Sequence, residues 1–129
     1  MKRRKARELT LAFLYQMEIR DELNEFSEDT ISSFLKEQGI EDDEIAEFAR
    51  LLIQGTIKNL TFIDSKISEY SINWSLKRMP YIDRNIMRIA IFEMLFVDTI
   101  PELVSINEAI ELAKKYSTKE SPKFVNGIL

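Results

Sequence analysis

The chain contains no cysteine and no histidine among its 129 residues. Without cysteine, disulfide bonds and thiolate metal sites are excluded, which fits a protein of a reducing compartment. Without histidine, the chain also lacks the commonest general base and the commonest metal ligand of proteins. These absences count against an enzyme that depends on acid–base catalysis or on a bound metal.

Glycine and proline are also scarce, with three residues of each type. So few turn-forming residues leave little material for the many turns of a β protein. No apolar run is long enough to span a membrane or to form the core of a signal peptide, so we expect a cytoplasmic protein. With 45% hydrophobic residues, a chain of this length suits a single domain with a real core.

Charge is distributed unevenly along the chain, although the net charge is only −4. The segment 18–47 is strongly acidic and contains only two basic residues, Arg20 and Lys36. The start of the chain is basic instead, through Lys2, Arg3, Arg4, Lys5 and Arg7. Such a distribution indicates that the leading segment faces a polyanion.

The most apolar stretch covers residues 81–97, and its apolar residues occupy nearly the whole circumference of a helix. A helix that is apolar all round must be buried on most sides, so we expect this one to be the central helix of the domain. It also carries four charges, which we expect to point outwards through gaps between its neighbours: Asp83, Arg84, Arg88 and Glu93.

The basic segment is predicted to form the first helix, from Lys2 to about Ile19. An inward-facing apolar stripe recurs at steps of three and four residues, through Ala6, Leu9, Phe13 and Met17. The arginines fall in a neighbouring arc of roughly 100°. Basic charge at a helix N-terminus opposes the helix dipole, so these residues are poorly placed for helix stability alone. Two interpretations stay open, a frayed and solvated basic start or an arginine-rich helix that binds phosphates.

Two further helices are predicted before residue 72. Ser27 is a suitable N-cap for the second helix, and Gly39 ends it near Gln38. The acidic run 41–44 favours a helix start over a metal site. From there the apolar periodicity continues to about Ser71, as one long helix or two collinear helices with a kink at Gly55 or at residues 59–61.

The periodicity breaks at residues 71–75, where we place a subdomain boundary with Trp74 filling the seam. A short turn, capped by Ser75, precedes the central helix. Beyond that helix, residues 105–108 form a capping box for the next helix. Ser121 and Pro122 then give an N-cap followed by proline at the first helical position. We therefore predict an all-α fold of two packed helical subdomains, 1–72 with three helices and 73–129, with about six to seven helices in total.

Nucleic-acid binding is the function that the residues favour. The five leading cations could reach phosphates from one helix, and on single-stranded RNA five contacts would give a salt slope of about −3.5. Three aromatic residues are candidates for stacking on bases, although an aromatic residue is more often part of the core than a base platform: Tyr15, Tyr116 and Phe124. This mode of binding requires that intramolecular ion pairs do not lock the guanidinium groups.

Three groups of motifs give the chain a family resemblance. The first comprises residues 3–9 (RRKAREL) and 14–16 (LYQ), and the second comprises 74–78 (WSLKR), Asp83, Arg84 and 87–93 (MRIAIFE). The third and most specific comprises 104–116 (VSINEAIELAKKY) and 123–129 (KFVNGIL). Together these motifs resemble the NusB family of transcription antitermination factors. The resemblance runs nearly end to end and is loosest between residues 20 and 47.

The resemblance implies a two-subdomain helical fold with no catalytic residues, cofactor or metal. It implies binding of boxA RNA together with the ribosomal protein NusE as a heterodimer, in a complex of Nus factors on RNA polymerase that suppresses premature termination of ribosomal RNA transcription. The arginine-rich motif of the family maps onto Arg3, Arg4 and Arg7. Its C-terminal RNA-side residues map onto three further positions, which are Glu120, Lys123 and Phe124. A position that contacts the protein partner, in the second subdomain, maps onto Asp83.

Two departures from the family pattern are visible. The chain stops after the NGIL motif, where the family usually continues for a helical turn or more, so we expect a shortened last helix. Ser117 stands where glycine is usual at a helix end, so its turn needs a left-handed serine or another geometry. The chain also resembles the RNA-binding extension of certain ribosomal RNA methyltransferases, but its 129 residues include no catalytic domain, so we expect the free-standing factor.

The alternative function is a non-catalytic protein-interaction module. Its basic end would meet an acidic protein, the acidic segment 18–47 of the same chain, or a second copy through a self-associating first helix. A homodimer of that kind would hide the arginines from RNA.

Overall fold

A computed structural model describes residues 2–23, 27–70, 79–117 and 121–128, and for residues 122–124 it describes the backbone alone. The regular structure within these ranges is entirely helical, which confirms the predicted all-α fold. Its seven helices are α1 (Lys2–Ile19), α2 (Glu28–Glu37), α3 (Asp43–Lys58), α4 (Leu60–Tyr70), α5 (Tyr81–Phe96), α6 (Glu102–Tyr116) and α7 (Ser121–Ile128). The predicted roles of Trp74 and Ser75 lie outside the described residues.

The first three helices begin as their sequences predict. The predicted apolar stripe of α1 is buried along its whole length. Ser27 caps α2 by accepting a hydrogen bond from the Thr30 backbone N–H, and Gly39 follows this helix with a φ of 70°. The acidic run opens α3, because the Asp42 carboxylate accepts from the backbone N–H groups of Glu44 and Ile45. The local capping rules are therefore sufficient at these ends.

The long periodic stretch after residue 42 forms two helices that meet at Asn59. The Asn59 amide Nδ2 donates to the Gly55 carbonyl at 2.8 Å, and its backbone N–H donates to the same oxygen at 3.1 Å. This side-chain bond competes with the continuing helical pattern, which explains why α3 ends there. The described part of residues 1–72 consequently holds four helices where three were predicted.

Helix α5 lies at the centre of the bundle, as predicted from its apolar circumference. It packs against five other helices, which are α1, α3, α4, α6 and α7. Because α5 belongs to the predicted second subdomain but contacts helices of both, the division of the chain near residue 72 stays a prediction.

The expectation that the charges of α5 point outwards is wrong. Asp83, Arg84, Arg88 and Glu93 are all buried. Arg88 illustrates the reason, since it donates to Asp64 of α4 at 2.7 and 2.8 Å and to Glu18 of α1 at 2.9 Å. Burial lowers the pKa of Arg88, but its hydrogen bonds with Asp64 and the nearby charges of Asp64 and Glu18 outweigh that effect and raise it. Paired in this way, a charge can be accommodated in the core.

The predicted capping box at the start of α6 is wrong as well. The helix begins one turn earlier, at Glu102 directly after Pro101. Ser105 is therefore inside the helix, where it is buried and its hydroxyl donates to Glu93 Oε1 at 3.0 Å. At the other end Ser117 adopts an extended conformation with a φ of −123°, so the missing glycine is not replaced by a left-handed serine.

Helix α7 begins at Ser121 itself, one residue earlier than predicted. Along the described ranges, we find no helix that combines the length and apolar character needed to cross a membrane.

We predict that Gly55→Ala destabilises the protein by about 1–3 kcal/mol, the usual effect of overpacking a core. A methyl group on Gly55 would overlap the ring of Phe92, where α3 and α5 approach each other. Gly127→Ala is the matched control, because no described atom lies within 4 Å of a methyl group at that helical glycine. Urea denaturation of both variants would measure the difference, and equal stability would contradict this explanation of the close approach.

Candidate nucleic-acid interface

The basic N-terminal segment divides into an exposed part and a buried part. The first four cations of α1 are exposed, namely Lys2, Arg3, Arg4 and Lys5. The fifth cation, Arg7, is only 3% exposed. Because α1 has no acidic residue in its first turn, the positive end of its dipole adds to the charge of the exposed cations.

Arg7 is held in the core by a carboxylate of α5. Its Nε donates to Glu93 Oε2 at 2.8 Å, and its Nη2 donates to Glu93 Oε1 at 2.6 Å. Glu93 is itself only 1% exposed and also accepts from Ser105. The predicted contact between Arg7 and a phosphate is therefore revised, since this guanidinium is a structural tie between α1 and α5.

A signal for the burial of Arg7 was present in the sequence. Thr10, Leu11 and Leu14 follow it at steps of three, four and seven residues, and all of them are buried. Such spacing places Arg7 on a core-facing stripe, not on the solvated arc. Glu93 could have been recognised as its partner, because a carboxylate within an apolar helix requires a buried cation or hydrogen-bond donors.

Two of the exposed cations have intramolecular partners at the surface. Arg4 donates to Glu108 of α6 through Nε at 3.1 Å and through Nη2 at 3.3 Å. Lys2 lies 3.0 Å from an Asp42 oxygen and 3.5 Å from a Glu44 oxygen. The hydrogen bonds with Glu108 and Asp42 raise the pKa values of Arg4 and Lys2. The pairing of Lys2 matches the sequence alternative in which the basic end meets the acidic segment 18–47.

Arg3 and Lys5 are the most available cations of the segment. The Arg3 guanidinium carbon lies 4.8 Å from the centre of the Phe48 ring, in a cation–π contact that leaves the side chain exposed. Among the described carboxylates, none forms an ion pair with Arg3 or Lys5. These two side chains can therefore meet an anion without first breaking an ion pair.

A charged groove of about 260 Å³ lies between α1 and α6. Its charged lining comprises Arg4, Arg7, Glu8, Glu108, Glu111, Lys114 and Lys115. Lys115 donates to Glu8 at 2.6 Å, and that hydrogen bond raises the pKa of Lys115. The sequence prediction did not include the lysines of α6, because their position at the end of that helix was explained by the helix dipole.

Asp83 is buried and joins α5 to the start of α7. Its Oδ1 accepts a hydrogen bond from the Ser117 hydroxyl at 2.7 Å and another from the Ser121 hydroxyl. The burial of Asp83 argues against the direct partner contact that was predicted for it. The structure gives Asp83 instead the role of fixing where α6 ends and α7 begins.

The remaining predicted site residues are described to different extents. Lys123 and Phe124 lie in the first half of α7, but the structure describes only their backbone. Glu120 lies outside the described residues. Tyr15 is exposed and packs edge-on against Tyr81, with 6.5 Å between the ring centres. Tyr116 is also exposed, with the Lys115 ammonium 5.2 Å from its ring centre. Base stacking by any of these aromatic residues stays a prediction.

Comparison with known proteins identifies the family. The model of the NusB family matches residues 4–129. This chain belongs to the NusB family. It is 51% identical to the transcription antitermination protein NusB of Trichlorobacter lovleyi over 98% of this chain and 87% of that protein.

Two solved structures support the NusB fold. T. maritima NusB has a TM-score of 0.86 and 44% identity, over 98% of this chain and 86% of that one. A chain in the crystal structure of the antitermination factors NusB and NusE in complex with double-stranded RNA has a TM-score of 0.86 and 26% identity, over 98% of this chain and 92% of that one.

Membership of the NusB family assigns the chain to transcription antitermination. It also confirms the prediction that the chain is not an enzyme, because NusB proteins are non-catalytic factors. The motifs that suggested the family included RRKAREL, and the structure shows that its cations serve two purposes, surface charge and core pairing.

We predict that Arg7→Met destabilises the NusB fold by about 3–5 kcal/mol, because it leaves the Glu93 carboxylate buried without a charged partner. The triple variant Arg7→Met, Glu93→Leu, Ser105→Ala replaces the whole buried polar group by apolar atoms. Such replacements are often neutral or stabilising, so the triple variant is expected to recover most of the loss. Urea denaturation would compare them, and a single variant as stable as the wild type would show that the pair is not structural.

Proposed function

We propose that the chain is a transcription antitermination factor that binds boxA RNA together with the ribosomal protein NusE as a heterodimer. In this role it joins other Nus factors on RNA polymerase in the cytoplasm and suppresses premature termination of ribosomal RNA transcription. The observation that carries the proposal is the near full-length match to a chain in a NusB–NusE–RNA crystal structure, combined with the exposed cations at the start of α1.

Phosphate binding is proposed for the exposed cations of α1. Arg3 and Lys5 are available directly, whereas Lys2 and Arg4 exchange a surface carboxylate for a phosphate. Because Arg7 is removed from this set, four phosphate contacts would give a salt slope of about −2.8 on single-stranded RNA. Basic residues at the start of a helix destabilise the helix but strengthen the binding of an anion there. Their position therefore supports a binding role over a structural one.

Base recognition is proposed for the segment around the start of α7. Phosphate contacts carry no sequence information, so preference for boxA requires contacts to bases. Phe124, Lys123 and Glu120 remain the proposed residues, and Tyr116 at the end of α6 is an exposed aromatic close to them in sequence. Asp83 supports this segment indirectly, because its bonds to Ser117 and Ser121 tie the residue after α6 to the first residue of α7.

NusE is proposed to dock on the second subdomain, near the turn between α5 and α6. Large apolar side chains are exposed there, including Leu95, Phe96, Leu103 and Val104. Exposed apolar groups concentrated in one region are typical of a protein interface. The alternative of self-association through α1 is favoured by no observation, since that helix is packed between α3 and α5.

We predict that Arg3→Ala combined with Lys5→Ala weakens binding to a boxA-containing RNA and makes the salt slope shallower by about 1.4, the contribution of two phosphate contacts. Helical content is expected to stay unchanged, because both side chains are exposed. Fluorescence anisotropy of labelled RNA at several salt concentrations would measure both quantities.

The matched control is Lys36→Ala combined with Lys58→Ala, which removes the same charge from the exposed ends of α2 and α3. Binding by this control is expected to resemble the wild type. The triple variant at Arg7, Glu93 and Ser105 is also expected to retain the wild-type salt slope. Equal losses in the Arg3/Lys5 variant and the control would mean that RNA responds to net charge and not to the α1 cations.

A further inference from the structure

Three ion pairs cross the groove between α1 and α6. Arg4 of α1 pairs with Glu108 of α6, the buried Arg7 lies 3.7 Å from the same carboxylate, and Lys115 of α6 pairs with Glu8 of α1. Each wall therefore contributes charges of both signs. The side chains of Arg4 and Lys115 are 48% and 60% exposed, whereas those of Glu108 and Glu8 are 18% and 15% exposed. A ligand that approaches from solvent consequently meets the cations first.

A phosphate can bind Arg4 with the same geometry as the Glu108 carboxylate. Arg4 binds both Glu108 oxygens through the edge formed by Nε and Nη2. Guanidinium groups bind carboxylates and phosphates through the same paired N–H groups, so the two anions compete for that edge. Partly exposed ion pairs of this kind are weak, which makes the carboxylate replaceable.

We propose that this groove binds a phosphate of the RNA, and that Glu108 and Glu8 occupy its cations in the free protein in place of that phosphate. The inference rests on the proposed function and deepens it, because it adds Lys115 and the competing glutamates to the phosphate contact already proposed for Arg4. It assigns Arg4 and Lys115 as phosphate ligands and the two glutamates as internal competitors.

The position of the groove supports this assignment. Arg4 lies between Arg3 and Lys5, the two most available cations of α1. Lys115 lies in the last turn of α6, just before the connection to α7, where base recognition is proposed. An RNA strand that contacts both regions can cross the groove between them. Arg7 keeps Glu93 as its main partner at 2.6 Å, so it stays paired when the more distant Glu108 carboxylate, 3.7 Å away, is displaced.

Glu108→Gln tests the competition directly. The substitution removes the competing charge with little change of shape, so binding to a single-stranded boxA-containing RNA is expected to become about two- to fivefold tighter, the fold-change that corresponds to one partly exposed ion pair. Glu69→Gln is the matched control, since it removes the same charge from an ion pair with Lys66 on α4, outside the groove. This control is expected to bind RNA like the wild type.

Lys115→Ala tests the opposite wall of the groove. It is expected to weaken binding and to make the salt slope shallower by about 0.7, the contribution of one phosphate contact. Glu8→Gln repeats the competition test on the ion pair with Lys115, and tighter RNA binding is expected again. This variant keeps the proposal testable if Glu108→Gln disturbs the fold.

Unchanged or weaker RNA binding by Glu8→Gln and by a folded Glu108→Gln variant, alongside normal binding by the wild type, would overturn the groove assignment alone. In that case the carboxylates orient the cations and do not compete with RNA. A wild-type protein that fails to bind the RNA would overturn the proposed function and the groove assignment together.

Discussion

The structure depends on the compensation of charge around α5. This helix is enclosed by five others and yet carries four charged side chains, none of which reaches solvent freely. Glu93 is neutralised by Arg7 of α1, Arg88 by Asp64 of α4 and Glu18 of α1, and Asp83 accepts hydrogen bonds at the start of α7. Since a buried charge without a partner is strongly destabilising, these pairs restrict how the helices can be arranged around α5.

The same constraint divides the basic helix into two functional parts. Its fifth cation is drawn into the core by the needs of α5, whereas the four before it stay at the surface. The buried arginine fixes α1 against the bundle, so the exposed cations are presented from a rigid helix and not from a loose tail. Rigid presentation lowers the entropy lost when RNA binds. The structural role of Arg7 and the proposed binding role of the four cations before it thus lie within a single run of basic residues.

Local features of the sequence were sufficient to predict much of the fold. The bounds of α1, the cap at Ser27, the start of α3 in the acidic run 41–44 and the end of α2 at Gly39 follow from patterns within a few residues. The errors about buried polar and charged residues involve partners on other helices. Ser105 looked like a cap until Glu93 was seen beside it, and the exposure expected for Arg88 ignored the acids on other helices. Periodicity indicates which face of a helix is apolar, but it does not reveal which charged side chains have oppositely charged partners in the core.

The ionic interior around α5 also affects how the protein responds to heat. Removing ions from water becomes less costly as temperature rises, because their hydration carries an unfavourable entropy, whereas the stabilisation from apolar contacts levels off. The share of folding stability that comes from Arg88 and its two carboxylates therefore grows on warming. Heating therefore lowers the free energy of unfolding less in a protein with such ion pairs than in one whose interior is wholly apolar.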